Sequence, residues 1–132
     1  MFQEITSRPR FRATRPLARL PHRDILIVAG TRPECIKLAP VVHELRERRS
    51  LASIVVNSGQ HPEAVRRTFA EFDVQCDVEL PALPPSPNLA GASKHLADAL
   101  ARTMAQVEPW LVIVQGDTLT AYAGARAAAR EG

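Results

Sequence analysis

The 132-residue chain is 45% hydrophobic but only 5% aromatic, so it offers one domain's worth of polypeptide whose core must be aliphatic. No apolar run approaches the roughly 20 residues of a membrane-spanning helix, and no membrane partner is expected. The net charge of +3 is uneven: residues 1–23 hold six Arg against one Glu, a balance of +5 that leaves −2 for residues 24–132.

Residues 1–23 read as a flexible basic arm, because Arg-Pro-Arg-Phe-Arg and the prolines at Pro9, Pro16 and Pro21 resist regular structure. The arm is Arg-rich and nearly free of acid like an organelle transit peptide, yet its prolines disfavour the amphipathic helix such a peptide needs. It has no apolar segment for a secretory signal. It also lacks aromatic interleaving or a reading motif, and nucleic acid is not expected as a partner.

The next stretch organises the chain. A continuous apolar run from Ile25 to Ala29 stops at Gly30, as a buried parallel strand stops at a tight turn. Pro33 suits a first helical position, so the turn opens onto a helix N-terminus, whose free N–H groups and dipole favour an anion. Arg32 and Lys37 add two cations there. The pattern is neither a dinucleotide fingerprint, having Gly30 alone, nor a P-loop, having no Gly-Lys-Ser/Thr.

The first helix is expected from about Pro33 to Arg49, bent near Pro40, with Cys35, Leu38, Val42 and Leu45 inward. A second strand, Ser53 to Asn57, ends in Ser58-Gly59-Gln60-His61-Pro62. Helix two should run from Pro62 to about Phe72 with Val65, Phe69 and Phe72 on one face. Val74 to Leu80 reads as an edge strand, and the four prolines between Pro81 and Pro87 as a rigid connection. Helix three, capped by Asn88, should reach Val107 with Leu89, Leu96, Leu100 and Val107 as its stripe. Pro109 then precedes a buried strand, Trp110 to Gln115, and Gly116-Asp117-Thr118 opens an alanine-rich helix from Thr118 to about Arg130 with Asp117 as its cap.

Cys35 and Cys76 stand far apart and are expected as reduced thiols in a cytoplasmic protein. His22, His43, His61 and His95 show no ligand spacing, so no metal is expected. Taken one by one, each motif has a plain reading: solvated charges for Arg32 and Lys37, a capped loop for Gln60 and His61, an N-cap for Asp117.

Together the motifs say more. Gly30-Thr31-Arg32-Pro33-Glu34 with Ile36-Lys37 and Ala39-Pro40, then Gly59-Gln60-His61, then Gly116-Asp117-Thr118, follow in order at three successive strand ends. Residues 24–132 thereby resemble the N-terminal part of the non-hydrolysing UDP-N-acetylglucosamine 2-epimerase family. The resemblance implies an α/β fold class, with a Rossmann-like doubly wound parallel sheet that forms an incomplete N-terminal domain of the two-domain GT-B arrangement. It implies interconversion of UDP-GlcNAc and UDP-ManNAc by elimination and re-addition of UDP, with no cofactor. It makes Asp117 a catalytic residue and Arg32, Lys37, Gln60 and His61 substrate-binding residues for a UDP-sugar.

Three departures stand beside the resemblance: Cys35 replaces the usual alanine, Pro62 an arginine, and Leu119 a threonine. The family's second domain and its proposed acid/base glutamates have no counterpart in these 132 residues. The chain is therefore expected to be a truncated fragment, inactive alone, whose open edge beside Leu111 accepts a second copy or a complementing C-terminal fragment. The alternatives are a non-catalytic nucleotide-sugar-binding or interaction module that uses its basic arm, and a component of a GT-B glycosyltransferase.

Overall fold

The structure, a computed structural model, describes residues 10–11, 23–85 and 88–132. In chain order the elements are β1 (Arg10–Phe11), β2 (Arg23–Ala29), α1 (Arg32–Arg46), β3 (Leu51–Asn57), α2 (Pro62–Glu71), β4 (Val78–Glu79), α3 (Leu89–Val107), β5 (Leu111–Ile113) and α4 (Leu119–Glu131). They form one five-stranded sheet in the order β1-β4-β3-β2-β5. Pairing is parallel from β4 to β5 and antiparallel only between β1 and β4.

β2 takes a central position because Ile25, Leu26, Ile27, Val28 and Ala29 are apolar on both faces, and all five are buried. Ile25, Ile27 and Val55 meet Leu38 and Val42 of α1 and Val65 and Phe69 of α2 on one face. Leu26, Val28 and Val56 meet Leu96, Leu100 and Met104 of α3 and Ala123 and Ala127 of α4 on the other. Successive strand residues therefore alternate between two cores, as the pleat requires. This is the Rossmann-like α/β architecture expected from the sequence.

From β2 the chain steps outward to β3 and β4, then crosses back to lay β5 on the opposite side of β2. Strand order thus reverses between β2 and β5. The turns leaving those two strands part in opposite directions, which is where a crevice opens in such sheets.

Several elements differ from expectation for physical reasons. α1 ends at Arg46, earlier than Arg49, since Arg48 N–H and Leu51 N–H close turns on Leu45 and Arg48. It runs through Pro40, which is exposed, so the Ile36 carbonyl that loses its helical partner stands on the solvent side. Phe72 caps α2 and is 37% exposed, and Leu89 at the start of α3 is 73% exposed, so neither belongs to its helix's apolar stripe. β5 is shorter than Trp110 to Gln115, and Trp110 and Leu111 are exposed at 57% and 45% because β5 lies at an edge. β4 is not an edge, since Arg10–Phe11 pairs along it. Part of the arm is therefore a strand, and Arg23 belongs to β2 with its guanidinium 4.6 Å from the Trp110 ring centre. The remaining arm residues, and the expectation that they are flexible, lie outside the described residues.

Candidate functional site at the carboxyl ends of β2, β3 and β5

Three turns leave the sheet at one end, and a polar web ties them together. The first is Gly30-Thr31, which opens α1. Thr31 is the N-cap and Glu34 stands at the third helical position, the spacing of a capping box. The Glu34 side chain is 1% exposed. Its Oε2 accepts from Gly30 N–H at 2.6 Å and from Thr31 N–H at 2.8 Å. Its Oε1 accepts from the Thr118 hydroxyl, 84 residues later in the third turn. Two of the amides that the sequence offers to an anion are thus already taken by the chain's own carboxylate. The turn is therefore a less open anion site than its sequence suggests.

The second turn joins the other two through Gln60. Its Oε1 accepts from Thr120 N–H at 3.1 Å and from the Thr120 hydroxyl at 2.6 Å. Ser58 Oγ lies 2.8 Å from Thr120 Oγ1 and accepts from Gln60 N–H at 3.3 Å. Gln60 N–H, Ser58 O–H and Thr120 O–H therefore donate in a closed cycle that returns to Gln60 Oε1, and each bond polarises the next. The cycle also fixes the carboxamide: with Oε1 turned to Thr120, its NH2 is the end that points away. His61 N–H bonds Gly30 O at 3.0 Å, closing the second turn on the first.

Gly30 is required here by space. A Cβ on it would lie 2.0 Å from Thr120 Oγ1 and 2.5 Å from Ser58 Oγ, so the web closes only over a bare Cα.

The other sequence-predicted residues sit around this web. Arg32 is the first residue of α1 and reaches across to α2, where its guanidinium donates to Glu71 at 3.3 and 3.4 Å and to Thr68 at 3.3 Å. The pair is about half exposed, and such pairs contribute at most about 1 kcal/mol, so Arg32 gives up little in exchanging Glu71 for another anion. Lys37 is exposed one turn further along α1, and His61 is exposed at the N-cap of α2. Asp117 is exposed and is not the cap of α4; that role belongs to Thr118, whose Oγ1 accepts from Ala121 N–H at 3.1 Å. Asp117 is left without a capping role and borders a groove of about 380 Å³ lined by Val114, Gly116, Thr118, Ala121 and Tyr122. That groove is built by β5 and α4 alone. It touches the web only through Thr118 and does not reach the first two turns.

Cys35, buried beneath the first turn, is a neutral thiol pushed up to about 12 by burial and, less, by the negative Glu34 beside it. Cys76 is likewise raised by burial and then by Glu79. Both are free thiols packed with the α1 and α2 core.

Sequence reasoning missed Glu34, Ser58, Thr118 and Thr120 as the residues that hold the site. Glu34 was within reach, because Thr-x-x-Glu before an apolar-periodic run marks a helix start. The three hydroxyls carry no such signal.

A family model for UDP-N-acetylglucosamine 2-epimerase matches residues 43–132. The chain belongs to the UDP-N-acetylglucosamine 2-epimerase family. A putative UDP-N-acetylglucosamine 2-epimerase of Thermotoga maritima is 36% identical over 104 residues, which are 79% of this chain and 28% of that protein. A crystal structure of a UDP-N-acetylglucosamine 2-epimerase superposes with a TM-score of 0.77 at 31% identity over 83% of this chain and 31% of that one. The Neisseria meningitidis enzyme of this family, crystallised with UDP-GlcNAc, superposes with a TM-score of 0.74 at 33% identity over 80% of this chain and 28% of its own. The chain spans about 28% of the length of the curated relatives it matches. No helix among its described residues is long and apolar enough to cross a membrane.

Proposed function

We propose that this domain forms one wall of a UDP-sugar site in the interconversion of UDP-GlcNAc and UDP-ManNAc, in a cytoplasmic setting that keeps Cys35 and Cys76 reduced. The observation that carries the reading is the web itself, because Glu34–Thr118 and Gln60–Thr120 bring the three motif turns to one end of the sheet, beside the point where strand order reverses. The Gly30 and Thr31 amides are held by Glu34 and the Thr120 amide by Gln60, so side chains carry much of the contact to a diphosphate. Arg32 and Lys37 supply positive charge, and the outward NH2 of Gln60 with the His61 ring supplies donors. In the elimination step a proton leaves the sugar's C2, the C1–O bond to UDP breaks and a C1–C2 double bond forms. Cations at the departing diphosphate lower that barrier, since they act where charge develops. Asp117, exposed and free of the cap, takes part in moving that proton or in orienting the group that does.

Residues 24–132 act in this reading as a partial N-terminal domain that needs a second copy or a complementing C-terminal fragment for turnover. A second reading, a non-catalytic nucleotide-sugar module, uses the same wall without Asp117 chemistry. Titrating the 15N-labelled chain with UDP-GlcNAc tests both. The expected result is saturable shifts at Gly30–Arg32, Gln60–His61 and Gly116–Thr118, weakened at least tenfold by Arg32→Ala. An absence of response at these turns in millimolar UDP-GlcNAc overturns the proposal. Turnover of UDP-GlcNAc by an assembly that contains this chain, lowered at least tenfold by Asp117→Asn, overturns the second reading.

A further inference from the structure

Among the described residues, Glu34 is the one carboxylate that is both fully buried and shared between two turns. It stands 1% exposed at the start of α1 and holds three donors: the amides of Gly30 and Thr31 at 2.6 and 2.8 Å and the Thr118 hydroxyl. None of these partners is a cation, so its charge is balanced by oriented N–H and O–H dipoles and by the positive end of the α1 dipole. The Thr118 hydroxyl that donates to Glu34 also accepts from Ala121 N–H at 3.1 Å. One oxygen atom thus caps α4 and locks α4 to the first turn. The residue on either side of this bond matters: Arg32 lies two residues before Glu34, and Asp117 lies one before Thr118.

We infer that Glu34 is a positioning residue whose carboxylate clamps the Arg32 turn to the Asp117 turn through Thr118, so that a nucleoside diphosphate meets the two as one rigid unit. The inference rests on the proposed function for its ligand and on the geometry alone for the clamp. The clamp has a second effect. Glu34 already holds the Gly30 and Thr31 amides that lead into α1, so a ligand phosphate is directed outward to the Arg32 and Lys37 side chains.

The experiment uses the full 132-residue chain, UDP as the probe, and amide exchange with 15N shifts as readouts. In the native chain, Gly30 and Thr31 amides exchange slowly, and UDP shifts the Gly30–Arg32 and Gly116–Thr118 signals with one shared affinity. Glu34→Ala speeds exchange at Gly30 and Thr31 at least tenfold. Glu34→Gln keeps most of the protection, since its carbonyl accepts from the amides while its NH2 donates to Thr118 Oγ1. Should Glu34→Ala fail to fold, Thr118→Val carries the test, because it leaves both amide bonds to Glu34 in place and removes the clamp together with the α4 cap, whose loss is controlled for separately. Thr118→Val is expected to weaken UDP at least fivefold, and Thr118→Ser to restore native affinity. Asn88→Ala removes a comparable cap, that of α3 on Gly91 N–H, and is expected to lower stability without changing UDP affinity. Native UDP affinity in Thr118→Val, or unchanged exchange in Glu34→Ala, overturns the clamp. A native chain that does not respond to UDP overturns the proposed function instead, and exchange at Gly30 and Thr31 then decides the clamp by itself.

Discussion

One helix, α4, differs in character from the pair that covers the opposite face of the sheet. α1 and α2 press large side chains onto it, with Phe69, Val65, Val42 and Leu38 all buried to within 2%. α4 presents Ala121, Ala123, Gly124 and Ala127, and a Cβ on Gly124 would already lie 2.7 Å from Val114 Cγ1. The first face gains its stability from apolar volume removed from water. On the second face α3 also buries Leu96, Leu100 and Met104, but α4 gives up volume for proximity, and that proximity lets Thr118 and Thr120 reach Glu34, Gln60 and Ser58. Residues that look uninformative in a sequence, a run of alanines, are here what brings the third turn to the other two.

The comparison breaks most visibly at Phe69. Phe69→Ala is expected to cost about 3–5 kcal/mol, the transfer term plus the cavity left behind, and to be read as a lower denaturation midpoint. The effect should fall on α1 and α2, leaving the 15N shifts of Thr118 and Thr120 nearly native. Retained stability would mean that this face is not held by volume.

Gly30→Ala probes the opposite face. The added Cβ meets two hydroxyls that cannot move without opening the hydrogen-bond cycle, and overpacking of this kind costs about 1–3 kcal/mol. Its signature should be local, with large shifts at Ser58, Gln60 and Thr120 and little change at Phe69. A variant with native shifts at those three residues would show that the turns are not in contact.

The smallest expected effect separates the faces by pH. Cys35 lies in the α1 and α2 core and its thiol is raised from 9.0 to about 12. A folded-state value above the unfolded one means that the contribution is complete below about pH 9 and is lost as pH rises toward the folded value, because only the unfolded chain then releases the proton. The loss should reach about 1 kcal/mol near pH 10. Thermal unfolding between pH 8 and 10.5 checks this, and Cys35→Ala should flatten the curve relative to the native chain.

Much of the fold was legible because its signals are local. The runs Ile25 to Ala29 and Ile54 to Val56, the Asn88 cap and the stops at Gly30 and Pro109 each need only a few neighbouring residues to be read. Exposure was not legible at Leu89, Phe72 and Leu111, since apolar identity does not say which end of a helix or which edge of a sheet a residue occupies. The β1 pairing was hidden for a related reason: Arg10–Phe11 has no strand pattern of its own and is a strand through its pairing with β4. At the site, the three turns and their order were plain in the sequence. What joins them was not, because Glu34–Thr118 and Gln60–Thr120 are contacts across 84 and 60 residues that no spacing rule reports.

The place of β2 in the sheet also sets a timetable for the growing chain. On one side it pairs with β3, whose last residue is Asn57, but its other neighbour begins only at Leu111. At a synthesis rate of roughly 5–20 residues per second, the most apolar strand of the molecule waits several seconds with one flank bare after β3 has emerged. Throughout that wait the first turn has its glycine, its arginine and its glutamate but not the threonine that fastens them. A ribosome-bound intermediate of this protein therefore holds a nearly finished α1 and α2 half beside a site that does not yet exist, and the interval is one in which a chaperone would find β2.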